Sequence, residues 1–291
     1  MPRFALFTTE CVQLGDALTE IIDRHHADLA LVVTSDIHHS PRGGLLAQLI
    51  THVRNSGVRF LHYLNLSFLA YPLAIRVDRA LAPLRGGRRT RRDVAELCAA
   101  YGIKHVRAPN VNRPDIVELL RRADLDLIVV YWFDQILREH VISVPRRAVV
   151  NVHAAYLPHC RGLFPGLFSA LEDGQPFGIS AHLIENREID AGPIIAQRTT
   201  SPPQDRSVLF LDSWINRVGV DMLDEILADL DGHLATTVPQ LGGSYHSYPS
   251  RREMARARRI GVRLTSVRDF FAAFRGTGAE HSSDRAAAPR T

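Results

Sequence analysis

Four short apolar runs, residues 4–8, 29–33, 127–131 and 148–152, limit the fold more than any other feature of the chain. They show almost no alternation of polar and apolar positions, as expected of strands buried on both faces. Apolar residues recur at helical spacing over 12–25, directly after the first run. Short buried strands alternating with helices predict an α/β fold: a Rossmann-like, mostly parallel sheet with helices on both faces. Ligands of such sheets sit outside the carboxyl ends of the strands, which is where the loops at Thr34, Tyr131 and Asn151 fall.

Residues 1–240 read as one domain carrying a helical insertion at about 45–80. That insertion is mostly apolar, is punctuated by Gly57 and Pro72, and is too long for a single crossover helix. It suits a lid over the sheet, an apolar face against a second subunit, as in a homodimer, or ordinary core helix. Residues 208–230 predict a long amphipathic helix bearing Trp214, Val218, Met222 and Leu223. Residues 241–275 read as a Gly- and Tyr-bearing loop followed by a short, basic helical extension, and 276–291 as a disordered tail without apolar period.

With 46% hydrophobic and 23% charged residues, the chain has the material for a sizeable core. No apolar run is long enough to cross a bilayer. The N-terminus enters a strand-like run without the longer apolar segment and cleavage site of a signal peptide, so a cytoplasmic location is expected. Cys11, Cys98 and Cys160 are far apart and suggest reduced thiols. Despite the pairs His25-His26 and His38-His39, neither H-x-x-x-H nor C-x-x-C occurs, and no metal is expected. Positive charge is carried by arginine, because Lys104 is the only lysine; a Schiff-base mechanism has one candidate. The basic run from Arg85 to Arg92 reads as a solvated loop leading to a helix over 93–101, capped by Thr90 or Asp93, rather than as a phosphate or nucleic-acid contact.

Chemistry concentrates at Asn151-Val152-His153 and at Asp190, 37 residues beyond the histidine. A carboxamide can donate to a developing oxyanion, an imidazole can carry charge or a proton, and a carboxylate can hold the imidazole and accept a proton. Each residue alone is more often a turn or cap. Around them stand Leu157-Pro158, Arg161-Gly162 and Asp190-Ala191-Gly192.

This pattern resembles the signature of the folate-dependent formyltransferases: N-x-H, then Leu-Pro, then Arg-Gly, with a distal D-x-G. That group includes glycinamide ribonucleotide, methionyl-tRNA and sugar N-formyltransferases. The resemblance is clear over about 106–197 and generic before that. It implies a formyltransferase fold, catalysis by Asn151, His153 and Asp190, and N10-formyltetrahydrofolate as the donor. It also implies a folate pocket lined by Tyr131, Trp132, Phe133, Ile136 and Leu137 on one side. On the other side the resemblance implies a closing loop with Glu185 and Ile189, and it counts Arg161 and Gly162 among the donor-binding residues. Ala154-Ala155 stands where the family often has Pro-Ser, which bears on substrate contact and leaves the triad intact. The expected acceptor is a small-molecule amine such as an amino sugar, nucleotide-linked or not, or a biosynthetic intermediate. Arg42, Arg161 or the basic extension would meet a phosphate. A methionyl-tRNA acceptor is disfavoured because 251–274 reads as helix. A formyltetrahydrofolate hydrolase, a catalytically silent folate- or nucleotide-binding protein and a nucleic-acid-binding module stay open as alternatives.

Overall fold

The structure, a computed structural model, describes residues 1–35, 51–172 and 174–276. Arg42, His38-His39, the first part of the insertion and the tail beyond Gly276 lie outside the described residues.

The predicted strands are present. β1 (Phe4–Thr8) leads to α1 (Gly15–His25) and then β2 (Leu29–Ser35). The insertion follows as α2 (Val58–Leu64), a π-helical turn (Asn65–Leu69) and α3 (Ala70–Leu81). Next come α4 (Val94–Ala100), β3 (Lys104–Ala108), α5 (Pro114–Arg122) and β4 (Leu127–Tyr131). The central part continues with α6 (Glu139–Ile142), β5 (Ala148–His153), β6 (Arg161–Gly162) and α7 (Pro165–Ser169). It closes with β7 (Gly178–Leu183), β8 (Ile194–Thr199), α8 (Val208–Ala228) and α9 (Leu230–Ala235). The last elements are β9 (Tyr245–His246), α10 (Arg251–Arg259) and α11 (Val267–Arg275).

The main sheet has the order β3-β2-β1-β4-β5-β7-β8. Its first five strands are parallel, and β7 and β8 add antiparallel at the far edge. One face carries Leu6, Val129, Val150, Val152 and Ile179, in one core with α1 and α8 residues such as Leu18, Ile22 and Met222. The other carries Phe7, Val33, Ile128 and Val149, in a core with Val117 and Leu120 of α5 and Val141 of α6. A third cluster joins the insertion, α7, the start of α8, α10 and α11 through Phe60, Tyr71, Leu167, Val208, Met254 and Phe274. β3 opens with exposed Lys104 and forms the other edge.

Helix α8 departs from the expectation of an amphipathic surface helix. It is buried along most of its length, polar Asp212, Ser213 and Asn216 included, because the sheet covers one side and α1 and α11 pack against it as well. Gly219 permits the close approach: a Cβ there would meet the Tyr131 hydroxyl at 2.3 Å and Ile179 Cδ1 at 2.5 Å. The basic run 85–92 is also a correction, since much of its charge is spent internally. Arg85 donates to the Asp78 carboxylate at 2.9 Å, Arg89 pairs with Glu96, and buried Arg91 donates from Nε to the Phe274 carbonyl at 3.1 Å. Asp93 caps α4 in a reciprocal box with Glu96, as one of the two expected caps.

Candidate active site

β5 turns Val150 and Val152 to the α8 side and Asn151 and His153 to the opposite side, because successive strand residues alternate. The antiparallel register places His182 directly across from Asn151 and Ser180 across from His153. Polar side chains therefore collect on one face of the β5–β7 pair, where the α5-side core runs out. Asn151, His153 and His182 are 9%, 8% and 1% exposed, enough to keep most bulk water off them.

Asp190 reaches this face from the loop between β7 and β8, with its backbone in the left-handed region at φ 49°. Its Oδ1 accepts from Asn151 Nδ2 at 2.9 Å and lies 3.3 Å from His182 Nε2. Its Oδ2 accepts from the Gly162 amide at 2.8 Å and stands 3.6 Å from His153 Nδ1. One carboxylate thus spans the carboxamide and the imidazole. Gln240 holds the loop from behind, donating to the carbonyls of Asp190 at 3.0 Å and Gly192 at 2.7 Å.

Both histidines are oriented by backbone carbonyls. His153 Nε2 faces the Cys160 carbonyl at 2.9 Å, which turns Nδ1 toward Asp190. His182 Nδ1 faces the Leu183 carbonyl at 2.9 Å, and a proton there leaves Nε2 to accept from Asn151 Nδ2 at 3.0 Å. Burial disfavours the charged form of Asp190. The facing charge of His153 and the Gly162 amide outweigh burial and hold the carboxyl well below the usual carboxylate range.

Residues 79–209 match the sequence model of a family described as formyl transferase. That match covers a little under half of the chain. A methionyl-tRNA formyltransferase of Trichlorobacter lovleyi is 32% identical to it over 137 residues, covering 47% of this chain and 43% of that protein. One from Halorhodospira halophila is 31% identical over 169 residues, covering 58% and 54%. The chain spans about half the length of the curated relatives it matches. The phosphoribosylglycinamide formyltransferase of Bacillus halodurans superimposes with a TM-score of 0.51 at 16% identity, covering 79% of this chain and 97% of that one. That likeness is one of fold.

Within the matched stretch, the expected pocket residues divide into two groups. Tyr131 is buried against α8, its hydroxyl donating to the Asn216 carbonyl, and Leu137 is buried in the α5-side core. Neither side chain is available to line a cleft, so only their backbone groups are. Phe133 packs on Phe7 with ring centroids 5.3 Å apart. Trp132 is half-buried with a left-handed backbone at φ 54°. Ile136 and Ile189 are exposed apolar side chains on the loops that follow β4 and β7, and Glu185 is exposed on the latter. Arg161 is half-buried with an Nε that has no hydrogen-bond partner among the described residues, while Gly162 anchors Asp190. Gln135, inside the expected pocket segment, works as a clamp: it accepts from the Val111 amide and donates to Ser35 Oγ and the Ala108 carbonyl.

Sequence reasoning missed His182 and Gln240. The β5–β7 register brings His182 to Asn151, and 50 residues separate Gln240 from Asp190, so no local spacing marks either.

Proposed function

We propose that the chain is an N-formyltransferase taking its formyl group from N10-formyltetrahydrofolate and passing it to the amine of a small molecule. The acceptor class is an amino sugar, free or nucleotide-linked, or a biosynthetic intermediate. The Asp190 carboxylate that spans Asn151 and His153 carries this reading. For the donor, exposed Ile136 and Ile189 on the flanking loops suit a flat aromatic ring, and half-buried Arg161 supplies a cation for an anionic group. When bound, the donor supplies a formyl carbon open to attack.

The chain's own groups divide the work. His153 has its Nε2–H held by the Cys160 carbonyl, so it donates to the carbonyl oxygen only from a protonated Nδ1, turning that hydrogen away from Asp190 as negative charge builds. Asn151 has both of its N–H bonds engaged, by Asp190 and His182, so it joins that oxyanion hole by exchanging one of them. Ionised Asp190 is the acceptor for the proton that the attacking amine must shed, directly or through water.

The curated relatives favour a second reading, with the amine of methionyl-tRNA as acceptor. Against it stands the course of residues 251–275. They form two helices that bury Met254, Ala257, Phe270 and Phe274 in the domain's third core cluster. The deciding experiment incubates the protein with N10-formyltetrahydrofolate and, separately, a panel of nucleotide-linked amino sugars, methionyl-tRNA, or no amine. Formyl-amide product from the sugars supports the proposal, and product from the tRNA alone replaces it with the second reading. Formate released equally fast without an amine makes the protein a hydrolase, and no turnover or donor binding at all overturns formyl transfer.

A further inference from the structure

A second group of functional side chains lies immediately behind His153. Cys160, Glu172 and His246 bring a thiol, a carboxylate oxygen and an imidazole nitrogen within 4.8 Å of one another. They come from three segments: the loop after β5, the turn after α7, and β9. Cys160 is buried and the other two are half-buried. His246 Nε2 meets Glu172 Oε1 at 2.6 Å, and His159 Nδ1 stands 3.6 Å from Glu172 Oε2. The His246 ring is stacked on Phe168, centroids 3.9 Å apart and planes 7° from parallel, so its nitrogen is aimed rather than free to turn.

We propose that Cys160, Glu172 and His246 form a three-ligand binding site for a zinc-class divalent cation. A sulfur, a nitrogen and an oxygen suit a borderline-soft ion better than magnesium or calcium, which prefer all-oxygen shells. Bond lengths of about 2.0–2.3 Å place tetrahedral zinc ligands about 3.3–3.8 Å apart. The His246–Glu172 contact has to open by under about 1 Å, and the widest separation has to close by about 1 Å, to reach that spacing. Binding displaces the thiol proton and any proton shared between His246 and Glu172, so cation uptake releases protons and strengthens as pH rises. Ring orientation by stacking and ordered backbone around the donors are what a metal site requires of its surroundings. The Cys160 amide donates to Ser244 Oγ at 2.8 Å, and the Leu163 amide donates to the His246 carbonyl at 2.9 Å.

The site lies beyond the proposed transfer reaction and does not depend on it. Its consequence would be mechanical: the cation would rivet β9 to the loop whose Cys160 carbonyl orients His153. No motif spacing could announce it, since the ligands are residues 160, 172 and 246.

The test uses the full chain, stripped with chelator and titrated with Zn²⁺ and with Co²⁺ as a spectroscopic probe. One equivalent bound, an intense sulfur-to-cobalt charge-transfer band, and a raised Tm on zinc addition are expected. Cys160→Ser should abolish the charge-transfer band, and His246→Gln should weaken zinc binding at least tenfold. Because either variant can disturb folding, Glu172→Gln, which keeps shape and hydrogen bonding, serves as the third arm and should also weaken binding tenfold or more. Substoichiometric uptake by the wild type, or a band that survives Cys160→Ser, overturns the proposal. So does unchanged zinc affinity in all three variants.

Discussion

At the scale of single residues, Asp190 is the hub, and its replacement separates structure from chemistry. Asp190→Asn keeps the shape but removes the charge facing His153 and the proton acceptor. We expect kcat to fall by on the order of 10²–10³, measured as steady-state formyl transfer with the preferred amine. An unfolded aspartate titrates near 3.9. Asp190, depressed in the fold, adds stability that is complete above about pH 4 and is lost as pH falls through its lower folded value. An acid limb in the rate profile above pH 5 must then arise from a group other than Asp190. His182 is a positioning residue for Asn151. His182→Leu leaves one Asn151 N–H unpaired and should lower kcat by on the order of a hundredfold with little change in donor affinity. His182→Gln, whose carbonyl oxygen can accept the same proton, should recover part of the loss. Equal activity of the Leu and Gln variants would refute the positioning role. Asn151, His153 and Asp190 were legible because the first two are near neighbours and the third stands in a recurrent motif. His182 was hidden because its role exists only after β5 and β7 pair antiparallel.

Among the elements, the small β6–β9 ribbon decides how the loop after β5 is held. Gly162 has φ +96°, and a Cβ on it would lie 2.1 Å from the His246 carbonyl oxygen. Gly162→Ala should therefore separate the two strands, move the amide that anchors Asp190, and destabilise the protein by about 1–3 kcal/mol. Urea midpoints report the stability loss, and kcat should fall in parallel; a variant with wild-type values for both would show the ribbon to be dispensable. β1, β2, β4 and β5 could be read from the chain because central parallel strands are apolar throughout. β3, with Lys104, His105 and Arg107, and β7 and β8, with Ser180, His182, Gln197 and Arg198, could not. These strands lie toward the two edges, where one face meets water or the active site, so their composition resembles that of loops. Polar Asp212, Ser213 and Asn216 of α8 are all buried beneath its neighbours, which the amphipathic pattern of 208–230 does not announce.

Over the molecule as a whole, a buried polar chain ties distant segments together. Gln13, after β1, donates to Ser67 Oγ at 2.6 Å and to the Tyr63 hydroxyl at 3.3 Å, and Tyr63 donates to Asp212 Oδ2 at 2.8 Å. Burial pushes the Asp212 carboxyl up to about 7, against the pull of the Tyr63 hydrogen bond and the Gly166 backbone. A raised carboxyl means the native state holds a proton that the unfolded chain gives up. Stability therefore declines as pH rises from about 4 to about 7, and the full cost persists above that. Three units correspond to roughly 4 kcal/mol as an upper bound. Asp212→Asn should be more stable than the wild type at pH 8 by up to that amount, with the gap shrinking toward pH 4. Paired urea titrations at the two pH values check this, and a gap that does not change with pH would remove Asp212 as its source. At the opposite edge, Lys104 opens β3, four strand positions from β5, or about 19 Å at the usual interstrand spacing. Apart from the chain's α-amino group, it is the only primary amine an acylating dye or coupling resin can find. Acylation of a side-chain amine therefore marks one defined residue, well away from Asn151, His153 and Asp190.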